Sequence, residues 1–388
     1  MDLTPLFKLM AEKHASDLFF TAGAPIQIKI QGVIVPVNQQ VLSAEQVKQC
    51  AYSIMNAEKI ARFEAEWEMN FGIPIPDVGS FRVNIFRQRG ACAIVIRYIK
   101  ASPPKLGELG VPDVLGDLCM LKRGLILMVG ATGSGKSSTL AAMLNYRNET
   151  SPGHILTVED PIEFQHRHKK SIVNQREVGI DTKTYADALK NAMREAPDVL
   201  MIGEIRDKET LSQALTYAQS GHLCLSTLHA NNSYHTMNRI INFFPEDARP
   251  GLLLDLSTSL RAVISQRLVR GIDGKLLPAV EVLLNSNRVA ELIRNGEVNE
   301  IKEAMENSLH QGSQTFEQAL YRLYKEGKIT LDEAMLHADS PTNLHWLVSH
   351  GEVVDEGSAK GDSSKKDNKD GSDQPQVSFN IDLIDTPH

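Results

Sequence analysis

Gly130-Ala131-Thr132-Gly133-Ser134-Gly135-Lys136-Ser137, followed by Ser138, is a complete G-x-x-x-x-G-K-[ST] phosphate-binding loop. Its flanks suit that reading. Leu125-Ile126-Leu127-Met128-Val129 enters it as a buried strand, and Ser137 to Leu144 leaves it as a helix. The glycines let backbone N–H groups turn inward around a polyphosphate, and the helix N-terminus adds the positive end of its dipole. Residues 130–138 are therefore the expected nucleotide-binding residues, with a nucleoside triphosphate as the ligand. Lys136 is placed to reach the β/γ-phosphates and the Ser137 hydroxyl to ligate Mg²⁺.

A phosphate-binding loop fixes ligand class and not reaction. Asp198-Val199-Leu200-Met201-Ile202-Gly203-Glu204 supplies the next part, an apolar strand closing on a carboxylate. Such a strand delivers an acid to the Mg²⁺ and water beside the γ-phosphate. Gly203 stands where many loop-containing nucleotidases place Asp, so Glu204 must serve as the local acid, through water to the metal. Between the two lies Glu159-Asp160-Pro161-Ile162-Glu163-Phe164, at the end of another expected strand, where open α/β sheets bind ligands. It reads either as a general-base segment or as a solvated acidic turn. His222 and His229 bracket the apolar stretch Leu223 to Leu228; seven apart on a strand, they project to opposite faces, which argues against a shared metal. Alone they read as unrelated core or loop residues.

The organisation follows from pattern. Residues 1–100 read as a small α+β domain. Its strands are Asp17 to Thr21, Ile26 to Ile30, Val33 to Val35, Phe81 to Phe86 and Ala91 to Ile99, with a helical stretch from Ser43 to Phe63. Residues 101–112 read as a linker around Ser102-Pro103-Pro104-Lys105, since paired prolines stop helix and strand alike. Residues 113–345 alternate strand and helix, as a mostly parallel sheet covered by helices requires. Strands are expected at 125–129, 155–159, 199–203 and 223–227, and helices at 136–147, 184–195, 207–219 and 235–244. A helical C-terminal portion follows at Leu252 to Leu268, Val289 to Arg294, Ile301 to Met305 and Phe316 to Tyr324. Residues 346–388 are expected to be a disordered acidic tail. Within it, Val377 to Ile384 alternates apolar and polar residues, and reads either as a disordered end or as a segment that docks on a sheet edge or groove.

Composition narrows the class. The net charge of the 388 residues is −7, and 351–388 hold nine acidic and four basic side chains, so the folded part is near neutral. That leaves no electrostatic basis for a direct nucleic-acid partner. Cys50, Cys92, Cys119 and Cys224 stand singly, without metal-ligand spacing, as expected in a reducing compartment. No apolar run approaches the ~20 residues of a membrane span, and Met1 to Pro5 lacks the order of a signal peptide, so a cytoplasmic protein is expected.

Taken in order, these boxes resemble the PilT/PilU family, the retraction ATPases of type IV pili that power twitching motility. The resemblance rests on the phosphate-binding loop, Glu159 to Phe164, Val173 to Gly179, and Pro197-Asp198 through Gly203-Glu204-Ile205-Arg206-Asp207. Gly221-His222 through Leu228-His229 adds to it, as do Ala15-Ser16-Asp17-Leu18 and Phe81-Arg82-Val83-Asn84. It implies a PAS-like N-terminal domain, a RecA-like P-loop ATPase domain and a homo-hexameric ring with ATP at the interfaces. It further implies that Glu163 positions the attacking water, that Glu204 is the acid near Mg²⁺, and that His222 and His229 sense the γ-phosphate or an interface. Arg82 and Arg97 match arginines that swing onto the triphosphate, where a guanidinium can offset developing charge. The implied partners are a PilT-type ring and an inner-membrane pilus platform protein, at whose cytoplasmic face the ring would sit. Ala338 to Leu344 and the long tail resemble the PilU branch more than PilT, whereas Arg288 to Arg294 departs from the helix that PilT-type motors carry there. Two other readings stay open: an accessory ring dependent on a PilT hexamer, and a type II secretion or DNA-uptake ATPase of the same superfamily.

Overall fold

A computed structural model describes residues 3–350 apart from 31, 77, 100, 101 and 308–311; residues 351–388 of the tail, with the alternating segment 377–384, lie outside the described residues. Two sheets organise the chain. The first has six strands in the order β3-β2-β1-β6-β5-β4. These are β1 (Asp17–Thr21), β2 (Pro25–Ile30), β3 (Val33–Val41), β4 (Glu68–Ile75), β5 (Gly79–Gln88) and β6 (Ala91–Ile99), and every pair is antiparallel. Inward-facing Leu18, Phe20, Phe81, Val83, Ile85, Ile94 and Ile96 are fully buried and pack on helices Thr4–Glu12, Ala44–Ser53 and Ala57–Glu66.

The helical stretch expected from Ser43 to Phe63 is two helices. Ser43 opens the first with a reciprocal Gln46 capping box, and the Asn56 side chain accepts from the Lys59 amide to open the second. Strand β4 escaped the pattern because Gly72 and Pro74 interrupt it; as an edge strand it tolerates both.

The second sheet runs β13-β12-β7-β11-β10-β8-β9. Its strands are β7 (Gly124–Val129), β8 (Gly153–Glu159), β9 (Ser171–Glu177), β10 (Val199–Ile202), β11 (Leu223–Leu228), β12 (Leu260–Arg270) and β13 (Leu276–Leu284). All neighbours are parallel except the β12–β13 hairpin. Every residue of β7, β10 and β11 is buried, because helices cover both faces of a parallel sheet. Helices Lys136–Thr150, Tyr185–Ala192, Lys208–Gln219 and Ser233–Asn242 fall where the alternation puts them; Thr184, Asp207 and Asn232 cap the last three.

One expected element is overturned. Leu252 to Leu268 is not a single helix: helix Arg249–Ser259 gives way to strand β12 at Leu260. Leu252, Leu256 and Leu260 keep helical spacing across the junction, and a strand buried on both faces shows no alternation to contradict it. The C-terminal helices Phe316–Lys325, Leu331–His337 and Pro341–His350 pack on the β12–β13 hairpin through Val269, Ala279, Phe316, Leu320 and Leu344, so helix continues past residue 345. Among the described residues no helix is long and apolar enough to cross a membrane.

Candidate active site

Parallel strands end at one edge of the second sheet, and four of the segments leaving that edge carry the candidate residues. The phosphate-binding loop follows β7, the acidic box follows β8, Glu204 follows β10, and His229 follows β11.

The loop is shaped by its glycines. Gly130 and Gly135 have φ of 151° and 86°. A Cβ on Gly130 would lie 2.4 Å from Ser134 Oγ and 2.5 Å from the Gln266 carbonyl oxygen, and one on Gly135 would lie 2.7 Å from Gln266 Nε2. Both positions thus require glycine for conformation and for space. Lys136 Nζ donates to the carbonyl oxygens of Gly130 and Ala131, each at 2.8 Å, so the ammonium is folded back over its own loop. Burial lowers its pKa, while the Glu204 and Glu163 carboxylates act to keep it charged. Ser134 Oγ is buried and finds no partner among the described residues. An orphaned hydroxyl and an ammonium beside a glycine-lined turn are a donor set suited to phosphate oxygens.

The acids lie close by. Ser137 Oγ donates to Glu163 Oε1 at 2.9 Å, which joins the loop to the acidic box. Glu204 accepts from Arg206 Nε at 2.6 Å, and its other oxygen lies 3.2 Å from His229 Nε2. Arg206 is also 3.9 Å from Asp160, which in turn is 3.9 Å from Arg82. Alternating charges therefore run from the first sheet to His229. Arg82 makes a second ion pair with Glu177 Oε1 at 3.4 Å, and the other Glu177 oxygen accepts the Ile162 amide at 3.1 Å. Burial raises the Glu177 pKa, and Arg82 counters it.

Glu159, buried behind this edge, accepts from Thr157 Oγ1 at 2.7 Å and from Gln175 Nε2 at 3.1 Å; desolvation lifts its pKa to about 7. Its backbone also explains Gly203. A Cβ there would meet Tyr185 Oη at 2.8 Å, Glu159 Cα at 3.2 Å and the Val158 carbonyl oxygen at 3.2 Å. An aspartate does not fit there, and the carboxylate that follows β10 stands at Glu204.

Of the expected residues, the chain brings together Lys136, Ser137, Glu163, Glu204 and His229, and ties Arg82 in by ion pairs. Two stand apart. Arg97, cross-strand neighbour of Arg82, pairs at 2.9 Å with Asp17 on the first sheet. His222 lies at the opposite edge of the second sheet: its carbonyl accepts the Gly124 amide that begins β7, and its Nδ1 lies 3.1 Å from Ser220 Oγ. Gln266 was not foreseen. From β12 its Nε2 donates to the Ser134 carbonyl and its Oε1 accepts from Thr139 Oγ1, both at 2.8 Å, so it clasps the loop to its helix. The only sequence signal was a polar stretch, Ser265-Gln266-Arg267, inside an apolar run.

Residues 2–276 match the family described as type II/IV secretion system protein. The chain belongs to that family. It is similar to the type IV pilus ATPase PilU of Pseudomonas aeruginosa, 48% identical over 92% of this chain and 93% of the relative. The type IV pilus retraction ATPase PilT of the same organism is 40% identical over 89% of this chain and all of PilT. A crystal structure of the pilus retraction motor PilT with bound ADP superposes with a TM-score of 0.82 at 41% identity, covering 89% of this chain and 99% of that one. The phosphate-binding loop and the family membership make this secretion-family chain an ATPase that uses adenine nucleotide.

Proposed function

We propose that this chain is a PilU-type motor ATPase that forms a homo-hexameric ring and hydrolyses ATP to drive retraction of a type IV pilus. The observation that carries the reading is the joining of Ser137 to Glu163 and of His229 to Glu204 at one sheet edge, in a chain that shares nearly its full length with PilU and PilT. Lys136 holds the β/γ-phosphates by exchanging its bonds to loop carbonyls for phosphate oxygens. Glu163 accepts the proton of the attacking water, and Glu204 orients the water shell of the metal. Ser137 Oγ and these carboxylates are hard oxygen donors suited to Mg²⁺, which takes few protein ligands beside phosphates and water. When bound, Mg²⁺ neutralises charge on the phosphates.

The first sheet with its helices is read as a PAS-like domain (residues 1–100), the second as a RecA-like ATPase domain (113–345), and 101–112 as the linker between them. Arg82 and Arg97 are carried onto the nucleotide when the first domain closes on the second of a neighbouring subunit, and closure and reopening deliver force to a membrane platform protein. His222, at the far edge of its own sheet, acts as an interface sensor toward the next subunit, and His229 acts at its own Glu204. The ring sits at the cytoplasmic face of the inner membrane and works beside a PilT-type ring. Two measurements test this. Mass photometry of the purified chain with ATP and Mg²⁺ should give a species of six chain masses, and Glu204→Ala in cells should abolish this protein's contribution to retraction. A monomer under all nucleotide conditions, or undiminished retraction, contradicts it.

A further inference from the structure

Gln266 and Arg267 are consecutive on β12, so their side chains leave opposite faces of the sheet. Gln266 holds the phosphate-binding loop. Arg267 reaches the segment that carries His229. Its Nη2 donates to the Asn231 carbonyl at 3.2 Å, its Nη1 to the His337 carbonyl at 2.5 Å, and it pairs directly with Asp339. Its guanidinium stacks 3.9 Å from the Phe316 ring centroid, which fixes the plane of the fork. Asp339 does more than neutralise it. Asp339 Oδ2 accepts from Asn232 Nδ2 at 2.7 Å, while Asn232 Oδ1 accepts the His235 amide at 2.8 Å as the cap of helix Ser233–Asn242. Both ends of the Asn232 amide are therefore committed, one to the helix and one to the C-terminal segment. The next residue is held as well: the Ser233 amide donates to buried Glu281 at 2.7 Å.

We propose that Asp339, with Arg267, is a positioning device for the ATPase reaction: it clamps Asn231-Asn232 and so fixes the short span that presents His229 to Glu204. Asp339 touches no reacting group. It acts through three residues of backbone, and its consequence is on turnover rather than on nucleotide binding, because the phosphate-binding loop is held separately by Gln266. The inference rests on His229 and Glu204 having the roles given above. It extends them by making the C-terminal helices part of the site's support, contributed by a segment that sequence places outside the nucleotide boxes.

The test compares Asp339→Ala with Glu333→Ala in the full chain. Glu333 anchors the same helices to β12 by accepting the Arg270 amide at 2.6 Å and pairs with the His337 side chain at 3.2 Å; among the described residues it makes no hydrogen bond or ion pair to the 229–233 segment, so it reports loosening of these helices. Asp339→Ala should lower kcat about tenfold with KM for ATP within about twofold, as a small displacement of a reacting group does. Hydrogen exchange should speed up in the 229–236 peptide and stay parental in 125–140. Asp339→Asn, which retains an acceptor for Asn232, should recover most of the turnover. Glu333→Ala should leave kcat and the 229–236 exchange near parental values. The proposal is overturned by parental exchange at 229–236 in Asp339→Ala, by equal kcat loss in Glu333→Ala, or by a rise in KM at unchanged kcat. The exchange arm needs no catalysis, so it stands apart from the proposed motor function, which fails instead if Glu204→Gln leaves turnover intact.

Discussion

Replacing Gln266 by alanine removes two buried hydrogen bonds at once. The Ser134 carbonyl loses its donor and the Thr139 hydroxyl loses its acceptor, at residues only 6% and 1% exposed. A buried polar group left unmade costs about 1–3 kcal/mol, and the amide's volume is vacated as well. Part of that cost is recovered, since the Thr139 hydroxyl can rotate toward a backbone carbonyl in its own helix. The net expectation is a loss of roughly 2–4 kcal/mol, or several degrees in Tm at about 2–4 °C per kcal/mol. The loop should suffer more than the fold. Gln266 Nε2 is also the wall against Gly135, so its loss frees that end of the loop to leave its conformation. The KM for ATP should therefore rise about tenfold while kcat at saturation changes little, because Glu163, Glu204 and His229 do not touch Gln266. Gln266→Glu keeps the acceptor for Thr139 but sets an oxygen against the Ser134 carbonyl, and should be at least as impaired. Differential scanning fluorimetry with and without ATP, alongside steady-state turnover, makes the comparison. A Gln266→Ala protein with parental Tm and parental KM would refute the reasoning.

Three further outcomes are expected. Gly203→Ala forces a Cβ to within 2.8 Å of Tyr185 Oη and 3.2 Å of backbone at Glu159, and should destabilise by about 1–3 kcal/mol in chemical denaturation; a neutral result contradicts the packing reason given for glycine there. Glu159, whose pKa is lifted by burial from 4.5 to about 7, stabilises fully below pH 4.5, where it is protonated folded or unfolded. That contribution, roughly 3 kcal/mol, is lost as pH rises to 7, because only the unfolded state ionises freely. Glu159→Gln should flatten that pH 4.5–7 slope, and an unchanged slope in urea titrations would count against it. Arg82→Ala leaves buried Glu177 without its counter-ion, so its carboxyl pKa should rise further and the variant should lose more stability than the parent as pH rises above the ordinary carboxylate range; a pH dependence equal to the parent's would show that the Arg82–Glu177 pair carries none of it.

The parts legible in sequence were those whose chemistry is local. A glycine-rich turn between an apolar strand and a helix is one continuous segment, and so is a strand that ends on Glu204. The second sheet's helices were legible through the alternation of strand and helix, and in the structure Thr184, Asp207 and Asn232 cap them. Strand β12 was not, because burial on both faces erases alternation and its leucines extend the spacing of the helix before it. With β12 hidden, Gln266 and Arg267 could not be placed, and their partners Ser134 and Asp339 lie far away in sequence. Glu177 was quoted within a box, yet its pairing with Arg82 depends on how the two sheets meet. Arg97 and His222 were grouped with the site by family likeness; within one chain they stand apart from it, at Asp17 and at the opposite sheet edge.

The central claim is that this chain hydrolyses ATP with the residues gathered at the carboxyl edge of its second sheet. The most direct measurement is Mg²⁺-dependent ATP turnover by the purified chain alone, with Lys136→Ala and Glu163→Ala prepared in parallel. The account predicts turnover in the parent, loss of nucleotide binding in Lys136→Ala, and retained binding without turnover in Glu163→Ala. Turnover that survives Glu163→Ala would contradict the site. A parent that is silent until a PilT ring is added would contradict the independent motor in favour of an accessory ring.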